Sequence, residues 1–384
     1  MTLPPLRIPA EAGAAPTRPA ATPLVLAALA LAYFGFSIAA YLLHNANEIG
    51  VAFWPGAGIT VATLLLVRRR DWPLVLAVVF ATEVVADVIQ DAPLLTSAWW
   101  AVANCLEAGL GALALDWVFR RRRVTLESTG NALRFLATAA VAGVPIGTLV
   151  GSLGTLAAFG GPLLPAWQRW YVGDLLGLLV IAPLVLYGPA IVRLVRDRLL
   201  GEIALVTAAS LLVFTDVAIG DAFTERYYLL LPLLVLVSLT RGPAGVAAAA
   251  FVTAMIANVA SMLGQGPFAL SPAHPDALVD LQIFTAIALF TAWLFAALTA
   301  DLGRTQRRLD HLESSFWQLT RDQEVLPICM GCSRVSTADG SWEPLATFFR
   351  TRTDFLSHGY CHDCATAALE RDLPALAESS APAR

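Results

Sequence analysis

Along the chain, stretches of about twenty almost uninterrupted apolar residues alternate with short polar connections that carry arginines. Wound as a helix rising about 1.5 Å per residue, one such stretch covers the roughly 30 Å of a bilayer's hydrocarbon. The runs lie near 22–43, 51–67, 72–90, 98–118, 132–157, 170–190, 201–219, 227–240, 243–263 and 279–300. They predict an all-α polytopic membrane bundle of 8–10 transmembrane helices. Ten is the full count; the second and eighth runs are short, and only Arg241-Gly242-Pro243 divides the eighth from the ninth. From Asp301 the pattern changes. Leu302, Leu309, Leu312, Phe316 and Leu319 follow at spacings of seven, three, four and three, the a/d seam of a short coiled coil. The chain thus divides into a disordered cytoplasmic tail (1–21), a transmembrane domain (22–300), a connecting helix (301–324), a cysteine module (325–368) and a second disordered tail (369–384).

At 57% hydrophobic and 14% charged, the chain is too apolar to hide its surface in a soluble core, so the bilayer is its solvent. All 25 basic residues are Arg, and their positions speak of topology rather than of nucleic acid. With ten spans and a cytoplasmic N-terminus, the clusters at Arg68–Arg70, Arg120–Arg123, Arg134, Arg193–Arg198, Arg241 and Arg304–Arg308 all fall inside. Only Arg169 and Arg226 fall outside, where Asp91, Asp221, Glu225 and Asp276 also collect. That places the protein in a bacterial inner membrane with both termini cytoplasmic. The run 24–43 is long enough to span and reads as a retained first helix rather than a cleaved signal. Tryptophans 54, 72, 99, 100, 167 and 170 sit at span ends as an interfacial belt, and Gly143, Gly147 and Gly151 form a small-residue packing stripe.

An ionisable side chain near the centre of a span costs about 2.5–3.5 kcal/mol on insertion scales, so each one needs a reason. Glu83 and Asp87 share a helix face, as do Asn104 and Glu107; Asp174 and Asp216 lie in otherwise apolar spans, and Glu48 precedes the second. As a set they predict a polar cavity open to the outer side. Taken singly, each also fits a hydrogen bond that holds the bundle in register.

Several short motifs carry a resemblance. Trp54-Pro55-Gly56-Ala57-Gly58 opens the second span and Arg69-Arg70-Asp71-Trp72-Pro73 leads into the third. Asn104-Cys105-Leu106-Glu107 sits in the fourth, Trp170-Tyr171-Val172-Gly173-Asp174-Leu175-Leu176-Gly177 opens the sixth, and Gly264-Gln265-Gly266-Pro267-Phe268 follows the ninth. In this order and spacing, residues 24–300 resemble the MASE1 membrane-associated sensor domain. The resemblance implies sensing, as in the membrane halves of bacterial histidine kinases and diguanylate cyclases, and marks Trp54, Pro55, Asn104, Glu107 and Asp174 as ligand or switch positions. Trp-Pro and Gly-Asp pairs also start and cap helices. About 60 residues follow Glu324, too few for a kinase or cyclase domain, and no GGDEF-like or ATP-binding glycine pattern occurs. His311 reads as a solvated helix residue.

The tail holds Cys329-x-x-Cys332 and, after 28 residues, Cys361-x-x-Cys364. Two such knuckles supply four thiolates with tetrahedral spacing, which suits a structural zinc in a small α+β zinc-knuckle module; iron or a redox-active dithiol pair is the alternative, and His358 or His362 could replace a cysteine. Asp339-Gly340 suits the hairpin turn, and Trp342, Phe348, Phe349, Phe355 and Tyr360 suit a mini-core. The tail resembles a C-terminal cysteine module of bacterial PAS-type sensors and response regulators, through Leu326-Pro327-Ile328-Cys329, Gly340-x-Trp342 and Ser357-His358-Gly359, with Ser333-Arg334 in place of a usual Lys-Lys and His362 in place of a usual Pro. The whole reads as a non-enzymatic receptor. Its ligand or switch site comprises Trp54, Pro55, Glu83, Asp87, Asn104, Glu107 and Asp174, it forms a homodimer through the seam, and it addresses a cytoplasmic kinase, response regulator or transporter. The alternative is a small-solute transporter or channel using the intramembrane carboxylates.

Overall fold

The computed structural model describes residues 18–47, 53–120, 122–195, 199–215, 224–270, 276–321, 328–337 and 340–352. It divides into two compact units, 1–306 and 307–384, with the boundary inside a long helix.

The first unit is helical throughout its described length. Its elements are α1 (Pro23–Asn47), α2 (Pro55–Leu66), α3 (Trp72–Ile89), α4 (Leu94–Val118), α5 (Thr129–Val141), α6 (Gly143–Phe159), α7 (Leu163–Leu186), α8 (Gly188–Leu194), α9 (Leu200–Phe214), α10 (Leu230–Met262) and α11 (Ala277–Arg321). Among the described residues seven helical segments are long and apolar enough to cross a membrane: α1, α3, α4, the α5–α6 pair, α7, α10 and α11. Each expected run has a helical counterpart among the described residues, but the count is seven rather than eight to ten, because two runs fall short of a span and the eighth and ninth share one helix. α2 has 12 residues and α9 has 15. Pro55 explains the first case: its ring holds the preceding Trp54 extended (φ −107°, ψ 103°), so the apolar residues before it cannot join the helix. Pro145 explains the break at Ala142 between α5 and α6, since a proline three residues into a helix has no N–H for the turn before it.

α10 is one element by hydrogen bonding but two limbs in space. Straight, its 33 residues would measure about 50 Å. Instead Gly242 takes φ 61°, ψ −155°, Arg241 pairs at 2.9 Å with Glu202 near the start of α9, and Tyr227, just before α10, meets Phe268, just after it, with ring centroids 4.9 Å apart. The limbs 230–241 and 243–262 run back along each other. This agrees with the separation of the eighth and ninth runs in the sequence.

α2 is the axis of the bundle, with ten of its twelve residues buried against α1, α3, α4 and α7. It crosses α7 backbone to backbone: a Cβ on Gly58 would lie 2.5 Å from the Gly177 carbonyl oxygen. At the end of the bundle where α3 begins, Arg18 and Arg69 both clamp the carboxylate of Asp116, which is buried near the end of α4. Asp71 accepts the Ala21 N–H there at 2.9 Å. The Arg–Asp–Arg clamp escapes a sequence reading because Asp116 stands at a span end, where a charge raises no question. α11 is fixed to the start of α5 through Asp301, whose Oδ2 accepts both the N–H and the hydroxyl of Thr129 at 2.8 Å.

In the second unit, β1 (Arg334–Ser336) and β2 (Trp342–Pro344) form an antiparallel hairpin followed by α12 (Leu345–Arg352). Of the expected Asp339-Gly340 turn, Gly340 has φ 81° and donates its N–H to the Thr337 carbonyl at 2.8 Å, while Asp339 lies outside the described residues. Val335 is fully buried, but Trp342, expected in the mini-core, is 48% exposed. It pairs with Ser336, so strand alternation puts it on the face opposite Val335. Phe348 and Phe349 meet edge to face on α12. Phe355 and Tyr360 lie outside the described residues, as do the tails 1–17 and 353–384. Leu302, Leu309 and Leu312 of the connecting seam are all exposed.

Candidate functional site

The site is built around the start of α2. Trp54, held extended by Pro55, donates its backbone N–H to the Gly173 carbonyl of α7 at 2.9 Å. Gly56 leaves the room into which the Trp54 indole folds; a Cβ there would lie 2.6 Å from its Nε1. Tyr33 of α1 meets the indole edge-on at 6.0 Å.

Above this floor the acids of α3 face inward. Glu83 accepts the Tyr33 hydroxyl at 2.9 Å on Oε2 and the Asn104 amide on Oε1. One turn on, Asp87 accepts the Tyr41 hydroxyl at 2.9 Å on Oδ1. Its Oδ2 is buried without a donor among the described residues, as are Asp174 Oδ2 and the Trp54 indole nitrogen, which lacks an acceptor. The Trp100 indole donates to Thr155 at 3.0 Å and so ties α4 to α6. These groups line a cavity of about 680 Å³ between α1, α3, α4, α6 and α7. Gln90, Asp91 and Arg169 stand toward its mouth, at the end of the bundle remote from Arg68–Arg70. The volume falls within the usual range of about 300–1,000 Å³ for small-molecule sites.

Glu107 lies behind the cavity. Its side chain is buried where Gly143 and Gly147 of α6 press onto α4, in contact with the Asp174 carboxyl, and neither of its oxygens finds another donor.

Of the residues singled out in the sequence, Trp54, Glu83, Asp87, Asn104 and Asp174 line the cavity; Glu107 backs Asp174, and Pro55 sets the course of Trp54. Glu48 and Asp216 lie outside the described residues. Sequence reasoning missed Tyr33, Tyr41 and Thr155, and it assigned Trp100 and Trp170 to an interfacial belt although both line the cavity. Aromatic residues are ordinary in apolar spans, so nothing in their spacing marks them. The glycine stripe is a packing device, with Gly143 and Gly147 against α4 and Gly151 receiving the Trp170 ring. Arg169, expected in a loop, belongs to α7, which begins at Leu163 and not near residue 170.

In the second unit, the Cys329-x-x-Cys332 turn is tight. Ser333, at φ 55°, returns its N–H to the Cys329 carbonyl at 2.8 Å, and Cys329 donates to Arg334 at 2.9 Å. The backbone N–H of Cys332, with that of Gly331 and the Cys332 thiol, points at the Cys329 sulfur and holds its thiol below the ordinary value. Thiolate-stabilising N–H groups suit a metal knuckle. Cys361, Cys364, His358 and His362 lie outside the described residues, and within those residues no three His, Cys, Asp or Glu groups converge as metal ligands.

In comparison with known proteins, the MASE1 family profile matches residues 20–301, the whole span of the bundle. No curated protein and no solved structure matches the chain.

Proposed function

The chain belongs to the MASE1 family of membrane-associated sensor domains, and from that premise we propose that it is a bacterial inner-membrane receptor whose cavity receives the signal. The observation that carries this reading is the cavity itself: polar residues from five helices converge on one space and leave buried oxygens of Asp87 and Asp174 unanswered. Buried polar groups without partners cost about 1–3 kcal/mol each. A protein keeps them where something else is to bind. In this reading the chain crosses the membrane ten times, with α2, α9 and the two limbs of α10 as separate passes, and both termini are cytoplasmic. Arg68–Arg70, Arg120, Arg241 and Arg304 then share the cytoplasmic end and the cavity opens outward.

The receptor performs no chemistry of its own. Ligand entry shifts the packing of α4 and α6 around Glu107, the Thr129–Asp301 bond passes the shift to α11, and α11 carries it to the cysteine module. That module holds zinc, or alternatively iron, on Cys329, Cys332, Cys361 and Cys364, and the metal's role there is to fold the tail. The exposed Leu302, Leu309 and Leu312 pair with a second copy, and the tail docks a cytoplasmic kinase, response regulator or transporter. The test is disulfide cross-linking of Leu309→Cys in native membranes, with and without Asp174→Asn. An altered cross-linking rate in the variant is expected. Equal rates would remove the link between cavity and tail, and solute uptake abolished by the same substitution would replace the receptor with a transporter.

A further inference from the structure

The contents of the cavity restrict what can fill it. Among the described residues four carboxylates line it, Glu83, Asp87, Asp91 and Asp174, against a single cation, the exposed Arg169. Asp87 is 5% exposed and belongs to the cavity wall, and its Oδ2 has no donor among the described residues, which makes it an acceptor waiting for a donor rather than one member of an acidic surface. Glu83, by contrast, is already held by Tyr33 and Asn104 and keeps further lone pairs free. Five aromatic residues, Tyr41, Trp54, Trp100, Phe159 and Trp170, share the wall with small, apolar and uncharged polar side chains. Carboxylates set among ring faces are what an organic ammonium ion requires, since the rings attract the cation and shield its methylenes while the acids accept its N–H groups.

The arrangement is also linear. Glu83 and Asp87 are separated by one helical turn, about 6 Å along α3, and Asp91 follows in the turn after its end. An inorganic divalent ion needs six or more oxygens converging on one point, which a ladder does not provide. A chain of about four methylenes sets two ammonium nitrogens about 6 Å apart when extended. We propose that the cavity binds a primary diamine or polyamine, with one ammonium on Asp87 Oδ2 and the next on Glu83 or Asp91. The proposal rests on the receptor reading for its meaning, but its chemistry stands on the cavity alone.

The experiment is calorimetric titration of the full-length protein in lipid nanodiscs with putrescine, spermidine, butylamine, 1,4-butanediol and magnesium chloride. Putrescine and spermidine are expected to bind at least tenfold more tightly than butylamine, and butanediol and magnesium not at all. Asp87→Asn, nearly isosteric, is expected to weaken putrescine at least tenfold. Asp91→Asn, at an exposed position where Asn also tolerates the positive φ of 63°, should weaken spermidine. Binding of butanediol or magnesium equal to that of putrescine, or full putrescine affinity in monodisperse Asp87→Asn protein, would overturn the assignment. The two readings separate in the Leu309→Cys assay. Cross-linking that responds to Asp174→Asn while no amine binds defeats the ligand class alone, and amine binding that leaves cross-linking unchanged upholds the ligand class while defeating the receptor reading.

Discussion

Gly177→Ala tests whether the crossing of α2 and α7 is what holds Trp54 at the floor of the cavity. A Cβ at this position would lie 2.5 Å from the Trp54 carbonyl carbon and closer still to its oxygen. Ordinary contact begins about 1 Å further out, and the obstacle is backbone rather than the end of a flexible side chain. α2 cannot yield easily, because it is enclosed by four helices and its Gly58 is equally close to α7. Overpacking of this kind costs about 1–3 kcal/mol, and the upper half of that range is expected here because both partners are main chain. The assay is thermal unfolding of the purified protein in detergent, followed by loss of the monodisperse peak, with tryptophan emission read in parallel. Gly35→Ala and Gly188→Ala, where a Cβ meets nothing within 4 Å, are the controls and should leave both readouts unchanged. A Gly177→Ala protein as stable as the controls, with unshifted emission, would refute the claim that this contact positions Trp54.

Gly242→Ala is expected to cost about 1–3 kcal/mol, because φ 61°, ψ −155° is a region that essentially only glycine occupies; thermal unfolding in detergent should fall below that of Gly188→Ala protein. Elemental emission on purified protein should give one zinc per chain, lost in Cys361→Ser/Cys364→Ser; iron, or no metal with disulfides instead, would turn the tail into a redox device and reverse the direction in which the signal is thought to travel.

The helices were legible because lipid leaves a chain few options: a backbone that cannot bond to water must bond to itself, and each apolar run has a helix among the described residues. Their lengths were less legible where one residue overrides its neighbours. Pro55 shortens α2 from within an apolar run, and α7 begins about two turns before its motif because Gln168 and Arg169 are tolerated on an exposed helix face. The acids of the cavity announced themselves by their cost. Its tyrosines and tryptophans did not, since an aromatic residue in an apolar span is unremarkable until three-dimensional packing brings it beside Glu83 or Asp87.

The enclosure of α2 has a consequence for how the protein is made. A 12-residue helix, about 18 Å long, cannot bridge hydrocarbon unaided, and its unbonded first-turn N–H groups would face lipid if it stood alone. Its resting place is created by α4 and α7, which are synthesised later. During biogenesis the segment must therefore wait, sheltered by the insertion machinery or lying at the membrane surface, and it settles only once the sixth long apolar stretch of the chain has emerged.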